Sequence, residues 1–370
     1  MKSSRPLLLA GITSSQVAEG CAWSAKEAGL EVQILPQAEE AEAWLETNDP
    51  LAVALDMAAP QAEAICLRIR MMSRLAHVPI VGLTQELSDL SFPEMYGWGG
   101  DDVIHSHAPG ELLARLRWLA VGDSLRPPNP RGDAVVADAD RRRRTLYARV
   151  LHNAGYTVKF ALHSNEAVSA STAEGIKLTI VDADLEPDGG VEVARQLRSK
   201  GNTVPVVIPA TPKKMGGHRL AVRELPKVAV TDSFAPPENL LFVANEVSRN
   251  QRDDGRASAR LLYGTVVAFR HAGRARETQG CTYNISAGGL YVRTLAPVDR
   301  GDEVWLELRP PRSDRLVRLE GKAAWARRFG PIESATVPPG FGVQIADGTK
   351  GDLARYEAGY RAFAADTIGV

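Results

Sequence analysis

The 370-residue sequence is poor in the residues that staple, anchor or polarise a chain. It has only three cysteines, Cys21, Cys66 and Cys281, and none belongs to a CxxC pair. Neither a disulfide framework nor a zinc ribbon can be built from them, so a reducing, cytoplasmic compartment is expected. Apolar runs fall short of the ~18 residues a membrane helix needs. Lys2 and Arg5 precede LLLAGI, but that apolar core is too brief for a signal peptide and is expected to be a buried first strand. No membrane insertion is expected. An excess of either charge is also missing, with 44 Lys+Arg against 45 Asp+Glu and a formal net charge of −1. At 44% hydrophobic and 24% charged residues the chain is ordinary globular material, neither fibrous nor disordered, and its length suits two to three domains.

The balance is a sum of unequal parts. Residues 1–125 carry 8 basic and 17 acidic side chains, 126–250 carry 18 and 14, 251–330 carry 15 and 9, and the remainder 3 and 5. Such contrast points to a tandem of modules. A repeat supports this: LAVALDM with Asp56 returns as KLTIVDA with Asp182, and HVPIVGL with Pro79 returns as TVPVVIP with Pro205, both 126 residues on. The copies are separated by LRPPNPRGD (125–133), whose prolines disfavour helix and central strand. Within each copy, continuous apolar runs alternate with amphipathic stretches, which predicts a doubly wound parallel α/β sheet.

The pattern changes after SRNQRDDGR (248–256). Short β-type runs separated by Gly, Pro and Asp clusters predict an antiparallel β-barrel. At the end, Leu353, Tyr356, Tyr360 and Phe363 share one face of a predicted helix. The expected division is therefore α/β domain 1–124, linker 125–132, α/β domain 133–249, and barrel with C-terminal helix 250–370.

Asp56 and Asp182 each end a buried strand at the carboxyl edge of a parallel sheet, where ligands gather. Here the repeats resemble response-regulator receiver domains. That resemblance implies a phospho-accepting Asp, an acidic pair for Mg2+, a hydroxyl residue and a Lys. In the first copy Asp56 and Thr84 fit, but Ala10 and Gly11 replace the acidic pair and Ser106 stands at the Lys position. In the second, Asp138 and Asp140 join Asp182 as candidate Mg2+ ligands, while Ala210 and Ala235 stand near the hydroxyl and Lys positions. Asp182 and Asp56 are thus candidate phospho-acceptors on incomplete sites. Both copies are read mainly as shells for docking or homodimerisation. GWGGDDV (97–103) imitates a cyclase signature but is read as a turn before a fifth strand; His105 and His107 lack a third metal ligand. The run Arg141–Arg144 is read as a solvated helix face, and no nucleic-acid partner is expected.

In the basic region, Arg256 and Arg260 lie in RASAR, and Asn284, Ser286, Gly288 and Gly289 lie in NISAGG. Together, RxxxR before the first barrel strand and NxSxxG at a strand turn resemble a PilZ domain, the bacterial receptor module for cyclic di-GMP. The resemblance covers about residues 252–348. The chemistry fits: guanidinium groups fork to phosphate or to guanine edges and stack on purines. Asn284 and Ser286 add donors and acceptors, and the two glycines permit positive φ and let the ligand approach the main chain closely. The resemblance implies a non-enzymatic cyclic di-GMP effector; because RASAR lies in the linker itself, the ligand is expected to order Arg256–Arg260 against the barrel and alter the seating of the second α/β domain. The expected protein partner belongs to motility or surface machinery, or is a histidine kinase. The competing readings are a phosphorylation-dependent regulator acting through Asp182, and a scaffold whose barrel docks a protein without nucleotide.

Overall fold

The computed structural model describes residues 5–121, 129–248, 258–271, 276–330 and 337–368. The first α/β domain runs β1 (Leu7–Ala10), α1 (Ser15–Glu27), β2 (Val32–Leu35), α2 (Ala38–Leu45), β3 (Ala52–Asp56), α3 (Ala62–Met71), β4 (Ile80–Thr84), α4 (Ser91–Gly97), β5 (Asp102–His105) and α5 (Pro109–Val121). Its parallel sheet has the order β2-β1-β3-β4-β5, that of receiver and flavodoxin folds. Strand alternation feeds two cores. Leu8, Val53 and Leu55 face Ile65, Ile69 and Phe92 on one side of the sheet. Leu7, Leu9 and Ala54 face Val17, Leu112 and Leu116 on the other.

The second domain repeats the plan with β6 (Gly132–Ala137), α6 (Arg141–Asn153), β7 (Tyr156–Ala161), α7 (Ser164–Ser171), β8 (Ile176–Val181), α8 (Gly189–Ser199), β9 (Val206–Ala210), α9 (Pro212–Val222), β10 (Val228–Asp232) and α10 (Glu238–Ser248). Its order, β10-β9-β8-β6-β7, is the same topology. Registers Ala10↔Leu55 and Ala137↔Val181 put Gly11 beside Asp56 in one sheet and Asp138 beside Asp182 in the other.

The third region is antiparallel: β11 (Leu261–Leu262), β12 (Val266–His271), β13 (Thr278–Ser286), β14 (Gly289–Arg293), β15 (Glu303–Leu308), β16 (Val317–Arg327) and β17 (Gly340–Gly348), then α11 (Lys350–Ile368). Strands β13-β12-β15-β16-β17-β14 close into a six-stranded barrel through the β13–β14 pairing, with β11 added beside β13. Closure removes free sheet edges. Inside, Val267, Phe269, Val292, Leu306 and Phe341 pack together, and Tyr356 and Tyr360 of α11 join them. The apolar face expected for this helix is therefore the one it buries. No helix among the described residues is long and apolar enough to cross a membrane.

The chain forms two compact units, Met1–Asp123 with Arg256–Phe329 and Pro338–Val370, and Ser124–Gly255 with Gly330–Val337. The barrel thus shares its unit with the first α/β domain, whereas the sequence reading made the second domain its mechanical partner. Cys281 and Leu295 of the barrel insert into the two cores of the first domain. Within the Gly-Asp-Asp turn, Asp101 ties the first domain together and Asp102 reaches across this junction. Asp101 is a buried ion-pair partner of Arg70 at 2.7 Å. Asp102 accepts from Arg115 Nε at 3.0 Å and from the Leu295 amide at 2.8 Å. Arg115, also paired with Glu111, donates to the Gln279 carbonyl of β13 at 2.6 Å. Asp89 accepts from the Val266 amide at 2.7 Å, and the Arg293 guanidinium lies 3.2 Å from the ring centre of Tyr96. Arg70, Asp101, Asp102, Glu111 and Arg115 are each buried with a counter-charge or a hydrogen bond, which is what burial requires.

Candidate functional site

The two halves of the RxxxR and NxSxxG pattern meet at one end of the barrel. Arg260, Asn284, Ser286, Gly288 and Gly289 line a single depression of about 260 Å³. Arg256 lies outside the described residues. The segment before β11 is tied to the β13–β14 turn, because the Ala287 amide donates to Ser258 Oγ at 3.1 Å. Asn284 is buried at a β-bulge, where the register of β13 against β14 slips between Thr282 and Asn284. A bulge redirects a side chain out of the regular alternation. Ser286 Oγ donates to the Gly289 carbonyl at 3.1 Å and closes the turn.

The positive φ that glycine permits is used at neither position: Gly288 and Gly289 are not among the residues with φ above zero. Gly289 is needed for another reason. A Cβ there would collide with the Val343 carbonyl oxygen of β17, whereas a Cβ on Gly288 would meet open space. Gly289 allows two strands to approach, and Gly288 leaves room at the surface.

Three features of the site were not anticipated from the sequence. Trp325 and Tyr291 form an aromatic wall, stacked with centroids 4.9 Å apart and planes 28° apart. Trp325 sits at a second register slip, between β16 and β17, and Gly342 opposite it leaves space for the indole. The third feature is the grip of α11. Tyr356 Oη donates to the Ser286 and Gly289 carbonyls at 3.1 and 2.9 Å, and Tyr360 Oη donates to the Ala259 carbonyl at 2.8 Å. One helix therefore holds both halves of the motif. Burial pushes the Tyr356 phenol well above its ordinary pKa, so it stays a donor.

The carboxylate edge of the second domain departs from the Mg2+ expectation. Asp138 is almost wholly buried. Its two oxygens take Arg143 Nη2 and Nε at 2.8 and 2.7 Å, while the same Nη2 reaches Asp182 at 2.9 Å. Asp140 is the N-cap of α6, accepting from the Arg142 and Arg143 amides at 2.7 and 3.2 Å; its other oxygen stands 3.8 Å from Arg143. These three acids are arranged around a guanidinium, and no metal-binding group of three or more His, Cys, Asp or Glu occurs among the described residues. The Mg2+ expectation for Asp138, Asp140 and Asp182 is corrected accordingly. The reading of Arg141–Arg144 as a solvated face does not extend to Arg143, which turns inward to Asp138 and Asp182. Burial and the neighbouring Asp138 raise the pKa of Asp182, and Arg143 opposes them.

Asp56 accepts from the Ala58 amide at 2.9 Å, beside the glycine that stands where the second domain has Asp138. Thr84 Oγ1 bonds its own turn at Glu86, and the Ser106 hydroxyl is buried without a partner.

Residues 251–359 match the family described as PilZ domain. Among solved structures, the chain is similar to a two-component system response regulator/GGDEF domain protein at 19% identity, covering 66% of this chain and 98% of that one, TM-score 0.31. It is similar to the receiver domain of NtrX from Brucella abortus at 19% identity, 31% and 98% coverage, TM-score 0.29. A third is the inhibitor of motility MotI/DgrA from Bacillus subtilis, at 20% identity, 30% and 53% coverage, TM-score 0.25. The assignment of the two parallel sheets rests on their own strand order.

Proposed function

With a PilZ domain over residues 251–359 behind two receiver-like α/β domains, we propose that the protein is a non-enzymatic bacterial effector of cyclic di-GMP. The observation that carries this reading is the convergence of Arg260, Asn284, Ser286 and the two glycines on one depression with an indole wall. Arg260 supplies a cation and a planar fork for phosphate or guanine O6/N7. Asn284 and Ser286 supply neutral hydrogen bonds, and Trp325 presents a face on which a purine stacks. Arg256, four residues before Arg260, completes the grip in this proposal.

Binding is transmitted through strands already in place. β13 ends at the site with Asn284 and Ser286, and its other end gives Gln279 to Arg115. β14 begins at the site with Gly289 and runs on through Arg293, stacked on Tyr96, to the Leu295 amide held by Asp102. Ligand-dependent change at the site therefore biases how the first α/β domain is held, and that domain is the surface offered to a protein partner. The phosphorylation-driven alternative has weaker support, since Asp182 is engaged by Arg143 and Asp56 has no acidic neighbour at Gly11.

Calorimetric titration with cyclic di-GMP tests the proposal. Saturable heat with wild-type protein and its loss in Arg260→Ala are expected. Absence of heat with wild type, or equal affinity in the variant, would overturn it.

A further inference from the structure

We propose that Arg143 is a built-in counter-cation that takes the place of a divalent metal among Asp138, Asp140 and Asp182, making the second α/β domain metal-independent. The register of β6 against β8 sets Asp138 beside Asp182 at the sheet edge. Two neighbouring carboxylates with little solvent need a cation or a proton. The Asp140 cap starts α6 so that Arg143, three residues on, reaches back over that edge.

The geometry is selective for guanidinium. Arg143 presents Nε and Nη2 to the two oxygens of Asp138 and shares Nη2 with Asp182, all between 2.7 and 2.9 Å. A planar fork suits this arrangement, and a single ammonium does not. Mg2+, in contrast, demands a near-octahedral shell of oxygens at ~2.0–2.1 Å. Carboxylates spaced by a guanidinium cannot contract around such an ion while it remains.

Other nearby cations do not substitute. Arg144 is spent on the Asp138 and Ala139 carbonyls at 2.6 and 2.8 Å, and Lys214 binds Asp184 at 2.9 Å. Removing Arg143 thus leaves three acids with vacated space between them, which a divalent ion can enter.

The test uses full-length wild type, Asp182→Asn, Arg143→Ala, Arg143→Lys and the double variant Arg143→Ala/Asp182→Asn. Free Mn2+ is followed by its paramagnetic resonance signal, and thermal unfolding is compared in EDTA and in Mg2+. Wild type is expected to bind no Mn2+ at this site and to unfold at the same temperature in both solutions. Arg143→Ala is expected to unfold earlier in EDTA, to gain Mn2+ binding, and to recover stability with Mg2+; the double variant loses that gain. Mn2+ binding by wild type that disappears in Asp182→Asn, or no Mn2+ binding by a folded Arg143→Ala, would overturn the proposal. If Arg143→Ala does not fold, Arg143→Lys decides: retained metal-independence with lowered stability supports it, and unchanged stability counts against it.

Discussion

Asp102 and Arg115 are both wholly excluded from solvent, and one oxygen of Asp102 serves Arg115 of its own domain and the Leu295 amide of the barrel. Removing one member of a buried pair strands the other's charge, typically costing ~3–5 kcal/mol. Asp102→Ala is therefore expected to destabilise the first α/β domain and the barrel together. Thermal unfolding followed by tryptophan fluorescence and by limited proteolysis checks this. Loss of only one of the two bodies would contradict a shared unit.

The adjacent glycines separate a packing role from a binding role. Gly289→Ala places a methyl group against the Val343 carbonyl and should lower stability by ~1–3 kcal/mol, as overpacking does. Gly288→Ala meets nothing in the fold, so its melting temperature should match wild type. Loss of cyclic di-GMP affinity in Gly288→Ala, measured by calorimetry, would then report contact with the ligand itself.

Tyr360→Phe deletes the hydrogen bond to Ala259 and leaves the ring in the barrel core. One such bond contributes ~0.5–1.5 kcal/mol, so nucleotide affinity should fall about two- to tenfold if helix α11 positions the arginine segment. Unchanged affinity would remove the helix from the binding machinery.

The acid edge of the second domain gives a pH signature. Asp182 has a raised pKa in the folded chain, so it holds its proton longer there than when unfolded. Its contribution to stability is present below the unfolded value and is lost as pH rises through the folded one. Arg143 lowers the Asp182 pKa, so Arg143→Ala should steepen that loss. Denaturant unfolding across the acid range, with wild type and variant in parallel, measures the difference.

Much of this architecture was legible. The 126-residue repeat located both third strands and the acids that end them, and the apolar spacing of Leu353, Tyr356, Tyr360 and Phe363 located the buried face of α11. Composition cannot say which arginine of Arg141–Arg144 turns inward, because the phase of α6 is set by the Asp140 cap. Nor does strand alternation reveal Asn284 and Trp325 as neighbours of one cavity, since both sit at register slips that break the period of two. Gly289 shows the limit of reading glycine by φ alone: its constraint is the carbonyl of a strand more than fifty residues away. The burial of Asp101 and Asp102 was hidden for a similar reason, as their partners come from α3, α5 and the barrel.

Cys281 brings one last consequence. It is a barrel residue seated in the core of the first α/β domain, and burial pushes its thiol pKa up to about 12. A protonated, enclosed sulfur does not react with alkylating reagents. Its labelling rate is therefore a native stopwatch for the opening of that junction, and the same measurement with and without nucleotide gives the free energy by which ligand tightens or loosens it, with no engineered probe.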